Sequence, residues 1–259
     1  MSRSNREHEM PAKNSGTIVV VGASSGIGAE LARCLAHEAR PVALLARRGD
    51  ELAALCASIE DKVGTTRAHA YAHDVTDTGS IEPLFERIEA ELGPVDELHY
   101  VAGVMPEVGL DEFPTDRDEQ MLRINALGCM AWSNAAARRF LARGRGHIVG
   151  ITSVAGDRGR MDRPGYNASK AAQDTHLEAL RNRLWRHGIR VTTVRAGPVR
   201  TPMTEGLDVP LPISAERCAK AVVRARDRGR AVVYVPGVWR PIMFVIRHLP
   251  SFLFRRMKL

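Results

Sequence analysis

Short runs of β-branched and aliphatic residues alternate with longer amphipathic stretches along nearly the whole chain. Residues 17–21 (TIVVV) form the first apolar run, and a glycine-rich turn and a helical pattern to about residue 40 follow it. A second strand at 42–46 (VALLA) leads into a helix over about 50–61. Residues 67–72 lead into His73, Asp74 and Val75 as a third strand and its exit, and a helix covers about 78–92. Residues 97–101 read as a fourth strand, and 116–143 as one long helix. Strands at 147–152, 189–195 and 231–235 are separated by helices over about 164–187 and 214–228. Strands that read as continuous apolar runs are covered on both faces, and their alternation with helices implies parallel crossovers. The expected fold is α/β: a Rossmann-like, doubly wound, seven-stranded, mostly parallel sheet with helices on both faces, in a single domain. Residues 1–14 read as a flexible tail, 15–236 as a dinucleotide-binding catalytic domain, and 237–259 as an apolar and basic C-terminal extension.

Composition narrows this picture only modestly. The chain has 259 residues, 44% hydrophobic and 26% charged, the balance of an ordinary globular protein. Its formal net charge is +7, but Lys and Arg are interleaved with Asp and Glu, without the basic and aromatic stretches of a nucleic-acid reader. The four cysteines, Cys34, Cys56, Cys129 and Cys218, form no CxxC pair and no zinc-like spacing, so no metal site is expected. That usage suits a reducing cytoplasm. The polar N-terminus lacks the apolar core of a signal peptide, and no apolar run is long enough to span a bilayer.

Candidate chemistry begins at the first turn. Gly22, Ser24, Ser25, Gly26, Ile27 and Gly28 join the first strand to the first helix. Glycines there allow a tight turn and close approach of a pyrophosphate, which the helix N-terminus then receives. A ligand-free glycine turn is the alternative, weakened by the placement between strand and helix. The second strand ends in Arg47 and Arg48, where an acid would bind a ribose 2′-hydroxyl. Two guanidinium groups favour NADP(H) over NAD(H), with Arg47 the preferred 2′-phosphate ligand, unless the pair merely opens a solvated helix. Asp74 and the Val75 amide stand where an adenine would lie; a turn or capping role for Asp74 has similar weight.

A second constellation follows. Ser153 ends the fifth strand, Tyr166 comes thirteen residues later, and Lys170 lies four further on, on the same helix face as Tyr166. Carbonyl reduction needs a proton on oxygen, and a free phenol with a pKa near 10 gives one up poorly at neutral pH. A neighbouring ammonium is expected to lower that value, and Ser153 to hold the substrate oxygen. An isolated Tyr and Lys pair is usually a surface contact, so the inference rests on the joint arrangement.

Taken together, these residues resemble the compact form of the short-chain dehydrogenase/reductase family over about residues 15–235. The GASSGIG loop resembles its TGxxxGIG loop, and Ser153 with Tyr166-Asn167-Ala168-Ser169-Lys170 its Ser and YxxxK spacing. Asn125 to Gly128 (NALG) resembles its NxxG segment, and 195–201 (RAGPVRT) its PGxVxT segment. The resemblance implies an NADP(H)-dependent oxidoreductase moving a hydride between nicotinamide and a carbonyl or secondary alcohol. It implies a catalytic tetrad of Asn125, Ser153, Tyr166 and Lys170, with Asn125 supporting a water that links the lysine to solvent. It places Tyr166, Lys170, Ala102, Gly103, Pro198, Val199 and Thr201 against the cofactor, and it implies a homodimer or homotetramer. There are departures: Val21 replaces a Thr, Tyr100 and Val101 replace two Asn, and Ala196 replaces a Pro. They put strand-end packing in question but leave the proton-transfer groups in place.

The substrate side is less legible. Val154, Ala155, Gly156, Met161, Pro198 and Met203 are the candidate substrate-shaping residues, and 201–214 resembles a reduced lid. The C-terminal extension holds Trp239, Phe244, Phe252 and Phe254 and ends in Arg255, Arg256 and Lys258. Peripheral docking on an anionic membrane is one reading; packing against the body or a partner subunit is the other. For the whole protein, a cytoplasmic oxidoreductase acting on a small carbonyl or alcohol leads. A non-catalytic dinucleotide-sensing regulatory protein has no use for a tuned phenol, and nucleic-acid binding rests on charge alone.

Overall fold

A computed structural model of the chain describes residues 16–257. The expected tail at 1–14, and Lys258 and Leu259, lie outside the described residues.

The strands expected from the apolar runs join into one seven-stranded sheet. In chain order they are β1 (Thr17–Val21), β2 (Val42–Ala46), β3 (Ala68–Ala72), β4 (Val95–Tyr100), β5 (Gly146–Ser153), β6 (Ile189–Ala196) and, after a small pair described below, β9 (Val232–Val235). The spatial order is β3-β2-β1-β4-β5-β6-β9, and every pairing is parallel. Chain direction across the sheet reverses between β1 and β4, which opens a crevice beyond their carboxyl ends.

Period-two alternation divides the strands between two cores. Val19, Leu45, Leu98, Tyr100 and Ile148 face one side. There they meet α3 (Ile81–Leu92), α5 (Gly128–Arg143) and α6 (Pro164–Leu184) through Phe85, Trp132, Phe140 and Leu177. Ile18, Val20, Leu44, Val149 and Val194 face the other side. That side is covered by α1 (Gly26–Ala36), α2 (Gly49–Val63) and α7 (Ala215–Asp227).

Several segments differ in detail from the sequence reading. The third strand stops at Ala72, so His73, Asp74 and Val75 belong to the loop beyond it. The helix expected at 116–143 comprises α4 (Thr115–Met121), a π-helical turn (Leu122–Leu127) and α5, so one extra residue is accommodated in the middle. The Gly128 N–H donates to the Arg123 carbonyl, the wider spacing of a π turn. Within 201–214, β8 (Ile213–Ser214) returns to pair with β7 (Val199–Arg200), so the short lid is tied down at its base. The C-terminal extension is helical, as α8 (Trp239–His248) and α9 (Ser251–Phe254). Among the described residues no helix is long and apolar enough to cross a membrane.

Strand β4 carries a feature the sequence reading did not anticipate. Its sequence is VDELHY, yet all six residues are buried. Glu97 and His99 lie beneath α1 and α7, in a polar cluster closed by two arginines. Arg40 Nη1 donates to Glu97 Oε2 at 2.8 Å, and Arg226 Nη1 to Glu97 Oε1 at 3.2 Å. Arg226 also pairs with Glu38, and His99 Nε2 lies 2.5 Å from Glu97 Oε1. Burial alone would push the Glu97 carboxyl up, but His99, Arg226 and Arg40 together hold it well below the usual carboxylate range.

Candidate active site

Two connected cavities open beyond the carboxyl ends of the strands, at the crevice between β1 and β4. The first, of about 200 Å³, is lined by the Gly22–Gly28 turn, Arg47, Arg48, Asp74, Val75, Ala102 and Gly103. The second, of about 490 Å³, is lined by Ser153, Tyr166, Lys170, Pro198 and Val199. Ile27, Gly103, Thr201 and Met203 face both, so the two form one bent trench.

The first cavity fits a dinucleotide by its backbone. Gly22 has φ +92°, and a Cβ there would stand 2.4 Å from the Ala102 nitrogen. At Gly28 a Cβ would stand 2.0 Å from the Gly22 carbonyl oxygen. Only glycine lets the turn fold this tightly. The Ser25 side chain, at the N-cap of α1, accepts no hydrogen bond from the helix's own N–H groups, which leaves first-turn N–H groups facing the cavity as an anion cradle.

The two arginines behave differently. Arg48 Nη2 donates to Ser24 Oγ at 2.9 Å and Ser25 Oγ at 3.2 Å, and its Nη1 pairs with Glu51. Arg47 has no hydrogen bond or ion pair among the described residues, and it lines the cavity as an exposed guanidinium. Asp74 Oδ1 accepts from the Thr76 N–H at 2.9 Å and the Thr76 hydroxyl at 2.8 Å. The turn role weighed for Asp74 is therefore present, while the carboxylate still faces the cavity. The Thr76 backbone bond is the largest influence lowering its pKa, with Arg47 contributing.

In the second cavity, strand β5 delivers Ser153 and helix α6 delivers Tyr166 and Lys170. The Tyr166 phenol lies beside Ser153, whose Oγ accepts from the Ala155 N–H at 3.1 Å. Burial pushes the phenol up, while the Ser153 hydroxyl and the Arg160 and Arg163 guanidiniums pull against that; the net shift is upward. Lys170 makes no hydrogen bond to the phenol among the described residues. Its Nζ lies 5.9 Å from the Tyr166 ring centre and donates to the Ile151 carbonyl at 3.1 Å and Gln173 Oε1 at 3.0 Å. Burial lowers its pKa to about 8.

That value has a measurable consequence. Between pH 8 and the ordinary 10.5 the unfolded chain holds a proton that the folded chain has released, so stability rises with pH across that window. Relative to Lys170→Met, the wild type should gain roughly 2–3 kcal/mol of unfolding free energy between pH 7 and 10.5. Denaturant titrations at the two pH values check this, and a pH-independent difference would refute it.

Asn125 sits in the π turn. Its Oδ1 accepts from the Val104 N–H at 2.8 Å, and its Nδ2 donates to the Val104 carbonyl at 3.0 Å and Ser169 Oγ at 2.9 Å. The close pass of Gly103 brings Asn125 and Lys170 together, since a Cβ there would stand 3.3 Å from Asn125 Oδ1 and 3.5 Å from Lys170 Nζ. Tyr100, one of the departures from the family pattern, donates its hydroxyl to the Ile124 carbonyl at 2.5 Å. It thus anchors the same turn from below.

The substrate-side expectations divide. Val154, Ala155, Pro198 and Met203 line the second cavity, but Gly156 and Met161 do not. Gly156 is a packing position, because a Cβ there would meet the Lys170 and Ala171 backbone at 2.8 Å. Met161 faces solvent. The sequence reading missed Arg160, Arg163, Leu207 and Trp239 as lining residues. Trp239 could have been suspected only as a large aromatic just beyond the last strand.

Comparison with known proteins bears on this geometry. Residues 16–210 match the family described as short chain dehydrogenase. An uncharacterised oxidoreductase of Mycobacterium tuberculosis is 33% identical over 241 residues, covering 93% of this chain and 96% of that protein. The structure of a short-chain dehydrogenase from Sphingobium yanoikuyae in complex with NADPH superposes with a TM-score of 0.78 at 26% identity, covering 91% of this chain and 97% of that one. An actinorhodin polyketide ketoreductase with NADPH gives a TM-score of 0.77 at 27% identity, covering 87% of this chain and 97% of that one.

Proposed function

We propose, for a chain that belongs to the short-chain dehydrogenase family, that it is an NADP(H)-dependent reductase of a carbonyl compound. The single observation that carries the cofactor choice is Arg47, a guanidinium without a partner among the described residues, at the tip of β2 and facing the dinucleotide cavity. The similar structures crystallised with NADPH support it. In this reading the α1 N-terminus and the Gly22–Gly28 turn receive the pyrophosphate, Arg47 the 2′-phosphate, and Asp74 with the Val75 amide the adenine. Ala102, Gly103, Pro198, Val199 and Thr201 hold the nicotinamide end. Once bound, the cofactor supplies the hydride.

The chain's own residues do the rest. Ser153 donates a hydrogen bond to the substrate oxygen and stabilises the charge that grows there. Tyr166 donates the proton. Burial keeps the phenol protonated at neutral pH but makes it a weaker acid, a cost that Ser153 and the Arg160 and Arg163 guanidiniums offset in part. Lys170 holds the nicotinamide ribose, and Asn125, by fixing the Gly103–Val104 backbone, keeps the lysine's end of the site open to proton exchange. The second cavity, apolar toward Val154, Leu207 and Trp239, excludes water around the carbonyl. The enzyme works as a homo-oligomer in the cytoplasm, where its four free cysteines remain reduced.

Kinetics with both cofactors test the assignment. Arg47→Ala should raise the KM for NADPH by roughly tenfold or more, the worth of one charge-assisted contact of about 1.5–3 kcal/mol, and leave NADH nearly unaffected. Arg48→Ala should do less, since that guanidinium already serves the serines and Glu51. An unchanged NADPH preference in Arg47→Ala would place the 2′-phosphate elsewhere.

A further inference from the structure

The C-terminal helix pair has two unlike sides. On the inner side, Trp239 and Met243 of α8 pack on Val154, and Trp239 forms part of the second cavity's wall. On the outer side, Phe244 is 66% exposed, Val245 58%, Phe252 53% and Leu253 41%. Single exposed apolar residues are common, but an outward row on two consecutive helices is not. Arg240, Arg247, Arg255 and Arg256 stand exposed around that row, and the sequence from Gly237 to Met257 contains no acid.

The pair is also held in place. Arg158 donates from Nη1 to the Leu249 carbonyl at 2.7 Å and to the Ile246 carbonyl, both at the end of α8. The same guanidinium lies 4.0 Å over the Phe254 ring, so one side chain fixes the bend between α8 and α9. The apolar row is thus a presented surface rather than a frayed end.

We propose that α8 and α9 form a docking surface for an anionic lipid membrane. Amphipathic, basic and aromatic helices lie in the headgroup region with their apolar side chains inserted, and each arginine near an anionic surface adds about 1 kcal/mol. Charge decides against a second copy of the chain as occupant. A two-fold interface places the same patch on both partners, so the arginines would face arginines with no acid in the segment to pair them. An anionic bilayer supplies the missing negative charge and the apolar phase together. The docked face then lies on the opposite side of α8 from the Trp239 wall of the cavity. The inference does not depend on the redox reading.

Co-sedimentation of the full chain with vesicles tests it. One set is phosphatidylcholine alone, and the other carries about a third phosphatidylglycerol. The wild type should partition onto the anionic set on the order of tenfold more strongly. Phe244→Ser with Phe252→Ser should lose on the order of tenfold or more of that binding. Arg255→Gln with Arg256→Gln should cut the preference for anionic lipid severalfold, with Arg240 and Arg247 retaining the rest. All four positions are exposed, and unchanged thermal unfolding confirms that the variants fold. Wild-type protein left in the supernatant with anionic vesicles would overturn the proposal. So would a phenylalanine variant that binds like wild type, or one that drops to a smaller oligomer in sedimentation equilibrium while the wild type ignores vesicles.

Discussion

Tyr166→Phe should lower kcat/KM for carbonyl reduction by about 10²- to 10⁴-fold, the usual worth of a positioned general acid. In barrier terms that is roughly 3–5 kcal/mol. The substitution deletes one hydroxyl and keeps the ring, so the cavity wall and α6 stay as they are. The cofactor half of the trench is lined from the glycine turn, β2 and the loop after β3, so NADPH binding should change less than about threefold, under about half of the 1.4 kcal/mol that marks a tenfold change. Steady-state NADPH oxidation, with NADPH binding measured by fluorescence, separates the two quantities. Turnover near the wild-type rate would refute Tyr166 as proton donor. Equal loss of turnover and NADPH binding would show that the substitution damaged the site as a whole. Ser153 gives a graded comparison, because it touches the same phenol but is not assigned the proton.

The largest effect on stability is expected far from that site. Glu97→Gln should cost about 3–5 kcal/mol of unfolding free energy, the range for removing one partner of a buried ion pair. Glu97 is 1% exposed and answers two guanidiniums, Arg40 and Arg226, that are themselves nearly buried. The amide keeps the shape and withdraws the charge, leaving the two cations only the more exposed Glu38 and Asp227 as counter-charges. The pH dependence has a definite sign. A carboxyl held below its ordinary value of 4.5 contributes stability above that pH and loses it on acidification. The gap between wild type and Glu97→Gln should therefore narrow below about pH 4. Chemical denaturation at neutral and acidic pH measures both; a neutral-pH difference under about 1 kcal/mol would show that the cluster contributes little.

The same strand shows where sequence reading stops. Glu97 looks like an exposed polar position because its cationic partners are remote: Arg40 is 57 residues away and Arg226 is 129. No local pattern encodes that pairing. The alternation of apolar runs and amphipathic stretches, by contrast, sets the strand and helix order, because each run must be buried on both faces whatever its distant neighbours. The site divides in the same way. The glycine turn and the Tyr166–Lys170 spacing are local and readable, and both border the trench. The direction of the Lys170 ammonium is not readable, because it depends on Gln173 and the Ile151 carbonyl. Nor is the difference between Arg47 and Arg48, which Ser24 and Ser25 settle from a loop more than twenty residues earlier. Gly156 looked like part of the substrate wall and is a contact between the turn after β5 and α6, a distinction that only the packing makes.

The π turn at Leu122–Leu127 adds one residue to the helix across the site. Each residue of an α-helix advances about 100°. Six residues at the wider π spacing turn through about the same angle as five α-helical ones, so the extra residue is absorbed without changing the phase of α5 against α4. Trp132 and Phe140 therefore keep their places in the core, while Asn125, inside the widened turn, reaches the Val104 backbone. A single-codon deletion there would restore regular winding and keep the core contacts, yet remove the local widening that aims Asn125 at the trench. The irregularity is an insertion that the core tolerates and the site uses.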